Sequence, residues 1–146
     1  MTIPNLSGVM NSIAQKYLES FLEILKQEGL DFKLYTVFPV RLYYSWLNNL
    51  STFMLASPEM LIIDTAPSTK TDKSRVVKID INQMKPIVRK ASFWEKLNIN
   101  NADSIIEITL PSSGKVVGLF VELPGQQVAT MDRKGNAELI RLLGLE

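Results

Sequence analysis

Eight of the chain's sixteen basic residues lie between Lys70 and Lys96: Lys70, Lys73, Arg75, Lys78, Lys85, Arg89, Lys90 and Lys96. Only three acids, Asp72, Asp80 and Glu95, interrupt them. That segment carries an excess of five positive charges, while each flank has four basic and six acidic residues. The net charge of +1 therefore hides a dipolar chain. A local cationic stretch is the footprint of a polyanion partner, because phosphates held by Lys and Arg release their condensed counterions. The aromatic pair Phe93-Trp94 closes the segment. Tyr35, Tyr44 and Trp94 are candidates to stack on bases, each worth about 1–3 kcal/mol when engaged. The alternative for the same residues is a solvated strand and loop surface, with Trp94 in the core.

Other chemistry is narrowed by what is missing. The chain has no cysteine, which excludes disulfides and thiolate metal sites. It has no histidine, which closes Ser–His, Cys–His and His–metal mechanisms. A carboxylate-held Mg²⁺ site, and Lys or Tyr catalysis, stay open. Asp64 ends an apolar run, and Asp80, Glu107 and Glu122 fall in other strands. Glu107 and Glu122 occupy solvent phases of alternating segments, so cross-strand pairing explains them better than a metal. The phosphate-loop, dinucleotide, nucleophile-elbow and EF-hand patterns are all absent. Ser113-Gly114-Lys115 looks like a piece of a phosphate loop, but it lacks the first glycine and a following helix, and reads as a hairpin turn. No catalytic residue, metal ligand or cofactor is assigned, and the chain is expected not to be an enzyme.

The elements that position these residues follow from periodicity. Residues 6–28 carry Leu6, Val9, Met10, Ile13, Tyr17, Phe21, Ile24 and Leu25 at helical spacing, with Gly29 placed to end the helix. Residues 32–38 alternate as a strand, and after Pro39 a second helix is expected from Val40 to Leu50, burying Leu42, Tyr43, Trp46, Leu47 and Leu50. Strands are expected over 52–56 and 60–65, joined at Ser57-Pro58-Glu59. Residues 65–74, rich in turn formers, predict a flexible loop. Arg75 to Ile81 predicts a strand with Val77, Ile79 and Ile81 on one face and Val76, Lys78 and Asp80 on the other. A short helix is expected over 91–97, a hairpin from 105–110 and 116–123, and a short strand over 128–131. Asn136 is placed as the N-cap of a final helix with Leu139, Ile140, Leu142 and Leu143. The expected class is α+β: one domain over 1–146, a mostly antiparallel sheet with a long N-terminal helix packed on it and a short C-terminal helix.

Part of the chain resembles a known family. Arg75-Val-Val-Lys-Ile-Asp80, Pro86 to Ile99, the acidic turn at Ala102-Asp103, Ile105 to Ile108 and Gly114-Lys-Val-Val117 follow one another as in the swapped-hairpin domain of AbrB/SpoVT-type transcription factors. The resemblance covers about 75–122, a third of the chain, and departs at two glycine-bearing turns, replaced here by Ile81-Asn-Gln-Met-Lys85 and Ala102-Asp103. It implies two interlocked chains, with Arg75, Lys78, Lys85 and Arg89 on DNA.

The expected function is a non-enzymatic nucleic-acid-binding protein, with Lys70, Lys73, Arg75, Lys78, Lys85, Arg89, Lys90 and Trp94 as contacts. The alternative is an adaptor or assembly subunit that binds a protein partner, or a second copy, through its amphipathic terminal helices. No apolar run reaches the ~20 residues of a bilayer span and no signal peptide is evident, so the cytoplasm is the expected location.

Overall fold

Gly29, at φ 81°, ends the first helix as expected. Its N–H bonds the Lys26 carbonyl and the Leu30 N–H bonds the Leu25 carbonyl, the paired closure that a left-handed residue permits. Gly144, at φ 66°, ends the last helix in the same way, through Arg141 and Ile140. The computed structural model describes residues 12–45, 48–93, 104–111, 113–122 and 131–145, with the backbone alone for 131–135. Its elements are α1 (Ser12–Gln27), β1 (Thr36–Ser45), β2 (Asn48–Ala56), β3 (Met60–Asp64), β4 (Val76–Asp80), β5 (Ile87–Lys90), β6 (Ser104–Thr109), β7 (Val116–Val121) and α2 (Met131–Leu143). The class is α+β.

The strands form one antiparallel sheet in the order β4-β3-β2-β1-β7-β6-β5. β4 and β5, the two edges, are consecutive in the chain and joined only by residues 81–86. Six residues reach about 22 Å at full stretch. A flat sheet of seven strands would hold its edges about 29 Å apart. The sheet must therefore curl, and it does: Ile79 of β4, Met54 of β2, Leu42 of β1, Leu119 of β7 and Ile106 of β6 share one enclosed cluster. Leu139 and Leu143 of α2 pack into the same cluster.

α1 covers the outer face of the β1–β4 half. Leu18, Phe21 and Leu25 bury themselves on Val37, Phe53, Leu55 and Ile62. Full burial of each such side chain stabilises by about 1.5–3 kcal/mol. The expected phases of β4 hold: Val77, Ile79 and Ile81 face the inner cluster, and Val76 faces α1.

Two expectations are overturned. Residues 40–50 are not a helix; 36–45 and 48–56 are the two arms of a hairpin, with Leu42 opposite Leu50. Val40 and Leu42 point into the core, while Arg41 and Tyr43 sit beside Phe120 on the outer face. Pro39 lies inside β1, where its carbonyl accepts the Glu122 N–H at 2.8 Å. A strand residue directs its N–H and C=O to the same side, so the donor that proline lacks is missing just past the end of β7, not from the β2 ladder. Nor is Asn136 an N-cap: α2 begins at Met131, and Asn136 is buried within it. The short strand expected over 128–131 lies outside the described residues except Met131, which opens α2. Of the helix expected over 91–97, only Ala91 to Phe93 are described. The segment resembling the swapped hairpin spans β4 to β7, and its middle, 94–103, lies outside the described residues.

Candidate functional site

Arg75 is 2 % exposed and anchors the connection that carries the first two candidate lysines. Its Nε donates to Asp64 Oδ1 at 3.0 Å and its Nη2 to Asp64 Oδ2 at 2.6 Å. Nη2 also donates to the Tyr17 carbonyl at 3.1 Å. Nη1 faces Ser20 Oγ at 2.9 Å and the carbonyls of Ser68 and Lys70 at 2.8 and 2.7 Å. A guanidinium has five N–H donors in a fixed fork, and this shell occupies them. The Ser20 hydroxyl has one hydrogen to give and lies within hydrogen-bond reach of the carbonyls of Tyr17 and Ser68. Arg75 thus ties α1, the end of β3 and the 65–74 connection together. The sequence places it among the phosphate contacts. Burial and a saturated donor set turn its side chain away from any surface partner.

The connection expected as a flexible loop is held from within at Ser68 and Lys70, and at its ends by Thr65 N–H to the Arg75 carbonyl and by Asp72 accepting from Ser74 N–H. The Asp72 carboxyl is held below its usual range, first by that backbone bond, then by the Ser74 side chain and by the charges of Lys70 and Arg75. Lys70 and Lys73 remain exposed on this braced loop.

The other candidates separate into two groups. Lys78 pairs with Glu28 at the end of α1, at 3.3 Å. Arg89 pairs with Glu107 across the β5–β6 ladder, at 3.0 Å. Lys85 and Lys90 are exposed, and no acidic partner reaches Lys70, Lys73, Lys85 or Lys90 among the described residues. Trp94 lies outside the described residues, next to Phe93, which is 68 % exposed. Tyr35 packs against the α1 cluster and Tyr44 against the inner one, so neither stands free for stacking. Burial raises the Tyr44 hydroxyl above its usual pKa.

The acids considered for metal binding have each found other work. Asp64 holds Arg75, Asp80 accepts the Asn82 N–H at 2.9 Å, Glu107 holds Arg89, and Glu122 sits 2.7 Å from Arg41 Nε. Among the described residues no three such groups converge on a point that would hold a metal.

Two clefts flank the braced connection and share Pro67. One, of about 360 Å³, is lined by Leu50, Ser68, Lys70, Asp72 and Arg75 among others. The second, of about 230 Å³, lies between α1 and β2 and is lined by Tyr17, Ser51, Phe53 and Glu122 among others. The Asp64–Arg75 pair escapes sequence reading, because a charge at each end of adjoining strands looks like ordinary surface. Its one signal is an aspartate closing the apolar run 60–63, opposite a basic residue at the start of the next strand.

No family model matches this chain, and no curated protein sequence does. Among solved structures, the chain is similar to the C-terminal domain of an unknown protein from Leishmania infantum. The identity there is 11 %, the TM-score 0.47, and the match covers 88 % of this chain and 98 % of that one. It is also similar to the DH/PH domains of p115-RhoGEF, at 12 % identity and a TM-score of 0.47, over 90 % of this chain and 40 % of that one. No helix among the described residues is long and apolar enough to cross a membrane. What this chain does has to be read from its own residues.

Proposed function

We propose that the chain is a non-enzymatic nucleic-acid-binding protein of the cytoplasm, and that Lys70, Lys73, Lys85 and Lys90 are its phosphate contacts. One observation carries this reading. The buried Arg75 braces the loop from inside, so that Lys70 and Lys73 reach solvent on a fixed support, on either side of Asp72 but in no ion pair with a described residue. A braced cationic loop loses less conformational entropy on binding than a free one. Lys78 and Arg89 join only by exchanging Glu28 and Glu107 for phosphate. Phe93, with Trp94 beside it in the chain, supplies an aromatic surface for bases.

The test is fluorescence anisotropy with labelled single- and double-stranded oligonucleotides across a salt series. Affinity should fall steeply with salt. Lys70→Glu with Lys73→Glu, and Lys85→Glu with Lys90→Glu, should each weaken it and flatten the salt dependence by about 0.7–0.9 in log–log slope for each phosphate released. No binding at low salt sinks the reading.

The adaptor alternative has its own observation. α1 and α2 turn most of their described apolar residues inward, but Ile87 on edge strand β5 is 61 % exposed, close in sequence to the exposed Phe93. Protein binding there would be insensitive to salt and lost on Ile87→Lys.

A further inference from the structure

We propose that the cleft beside Glu122 is a binding site for a primary alkylammonium group, a site that uses none of the proposed phosphate-contact lysines. Glu122 is 7 % exposed, an unusual place for a carboxylate unless both of its oxygens are engaged. Only one is. Oε1 accepts the Ser51 hydroxyl at 3.2 Å and lies 2.7 Å from Arg41 Nε. The Arg41 contact is one of charge alone, because the N–H is not aimed along it and Nε has no hydrogen-bond partner. Oε2 accepts nothing from any described residue, yet it is not sealed away from solvent. The opening that Glu122 lines is the cleft of about 230 Å³ shared with Ala14, Tyr17, Ser51, Phe53 and Pro67.

The walls decide the ligand. No basic side chain is described in the lining, and Arg41 is not part of it, so a ligand in the cleft meets a carboxylate oxygen first. An anion is repelled there. A guanidinium is a poor match, since its planar fork wants two free carboxylate oxygens and Oε1 is already taken. An ammonium needs one charged acceptor and takes further oxygens around it. Oε2 supplies the first, and the Ser51 hydroxyl oxygen, bonded to Oε1 of the same carboxylate, is a further oxygen in the lining. Tyr17 and Phe53 supply aromatic surface, which favours a cation, and Ala14 and Pro67 suit an alkyl stem. Arg41 shares the carboxylate charge, which weakens the hold on a lone amine.

The experiment is an NMR titration of the intact chain with n-butylammonium chloride, with n-butanol and n-propylguanidinium as matched probes. Expected are saturable shifts at Ala14, Ser51 and Phe53, with n-butanol and n-propylguanidinium each about tenfold weaker. Glu122→Gln should weaken the ammonium about tenfold. Ala14→Leu, which fills the cleft and leaves the Glu122 carboxylate itself unaltered, should abolish the shifts and keeps the test decisive if Glu122→Gln fails to fold. A capped lysine (acetyl-lysine methylamide) and 1,4-diaminobutane then separate a lysine of a protein partner from a free polyamine, the tighter ligand naming the source. Equal binding of n-butanol and n-butylammonium, shifts that survive Ala14→Leu, or no saturable shift would overturn the proposal.

Discussion

Arg75 closes on Asp64 through two parallel hydrogen bonds, Nε to Oδ1 at 3.0 Å and Nη2 to Oδ2 at 2.6 Å, with both side chains almost wholly enclosed. Removing one partner of such a pair leaves the other as an uncompensated buried charge, which costs about 3–5 kcal/mol. Asp64→Asn or Arg75→Met should each lower unfolding stability by that order in urea titrations. Replacing both, as Asp64→Leu with Arg75→Met, should cost clearly less than the sum, because no charge is then stranded. The loop carbonyls of Ser68 and Lys70 would still lose the Arg75 guanidinium as donor, so the double variant should show faster amide exchange and proteolysis between 66 and 74. Additive losses would refute the idea that the pair acts as a unit.

Asn136 replaces a piece of sheet. Extending the β6–β7 register beyond Ile106 and Leu119 brings Ser104 opposite Val121. There the Asn136 carboxamide takes over, its oxygen accepting the Val121 N–H at 2.9 Å and its nitrogen donating to the Ser104 carbonyl at 3.2 Å. Asn136→Ala strands the buried Val121 N–H and takes a donor from the Ser104 carbonyl, and should cost about 2 kcal/mol. The Val121 amide should lose exchange protection while Leu119, still on the ladder, keeps it. Unchanged protection at Val121 would mean that the strands close without the side chain.

The Asp72 carboxyl titrates below its usual value because the Ser74 backbone N–H bonds its ionised form. A folded-state pKa below the unfolded one favours folding while the group is ionised. That contribution is complete above the unfolded value of about 3.9 and disappears as pH falls through the lower folded value. A carbon-detected NMR titration should place the Asp72 midpoint under about 3.9, and Asp72→Ala should erase this acid-side dependence from the loop. A midpoint at or above that value would show that the cap does not form in solution.

The features legible in the sequence are those set by local chemistry. Gly29 ends its helix, Val77 and Ile79 take the predicted face of β4, and the β6–β7 hairpin falls close to its expected place. What fails depends on partners far away in the chain. Residues 40–50 satisfy a helical period through Leu42, Tyr43, Trp46, Leu47 and Leu50, and an alternating one through Val40, Leu42 and Tyr44. Pairing decides between them: β2 is the next arm of the same hairpin, but β7, which covers the other side of β1, lies far along the chain and is not visible locally. Asn136 follows a turn-like Asp-Arg-Lys-Gly run and looks like a cap; its real partners are fifteen and thirty-two residues away. Arg75 reads as one more surface charge because burial is not written in a residue's type. The candidate site is accordingly visible as charge, and only the fold shows which charges face outward.

Gly118 and Ile105 share the outer face of the β6–β7 pair, and a methyl group on Gly118 would overlap Ile105 Cδ1 and meet Cγ1 at 3.1 Å. Ile105 is fully buried and β-branched, so its side chain has little freedom to swing aside. Gly118→Ala should therefore destabilise by about 1–3 kcal/mol, although alanine suits a strand better than glycine does. Ile105→Val removes the clashing Cδ1 and by itself should cost about 0.5–1.5 kcal/mol. In that background Gly118→Ala should become nearly neutral, a coupling readable from a double-mutant cycle in urea. If the two losses simply add, the gap at Gly118 has some other occupant, and the close approach of Ile105 is not what keeps a glycine there.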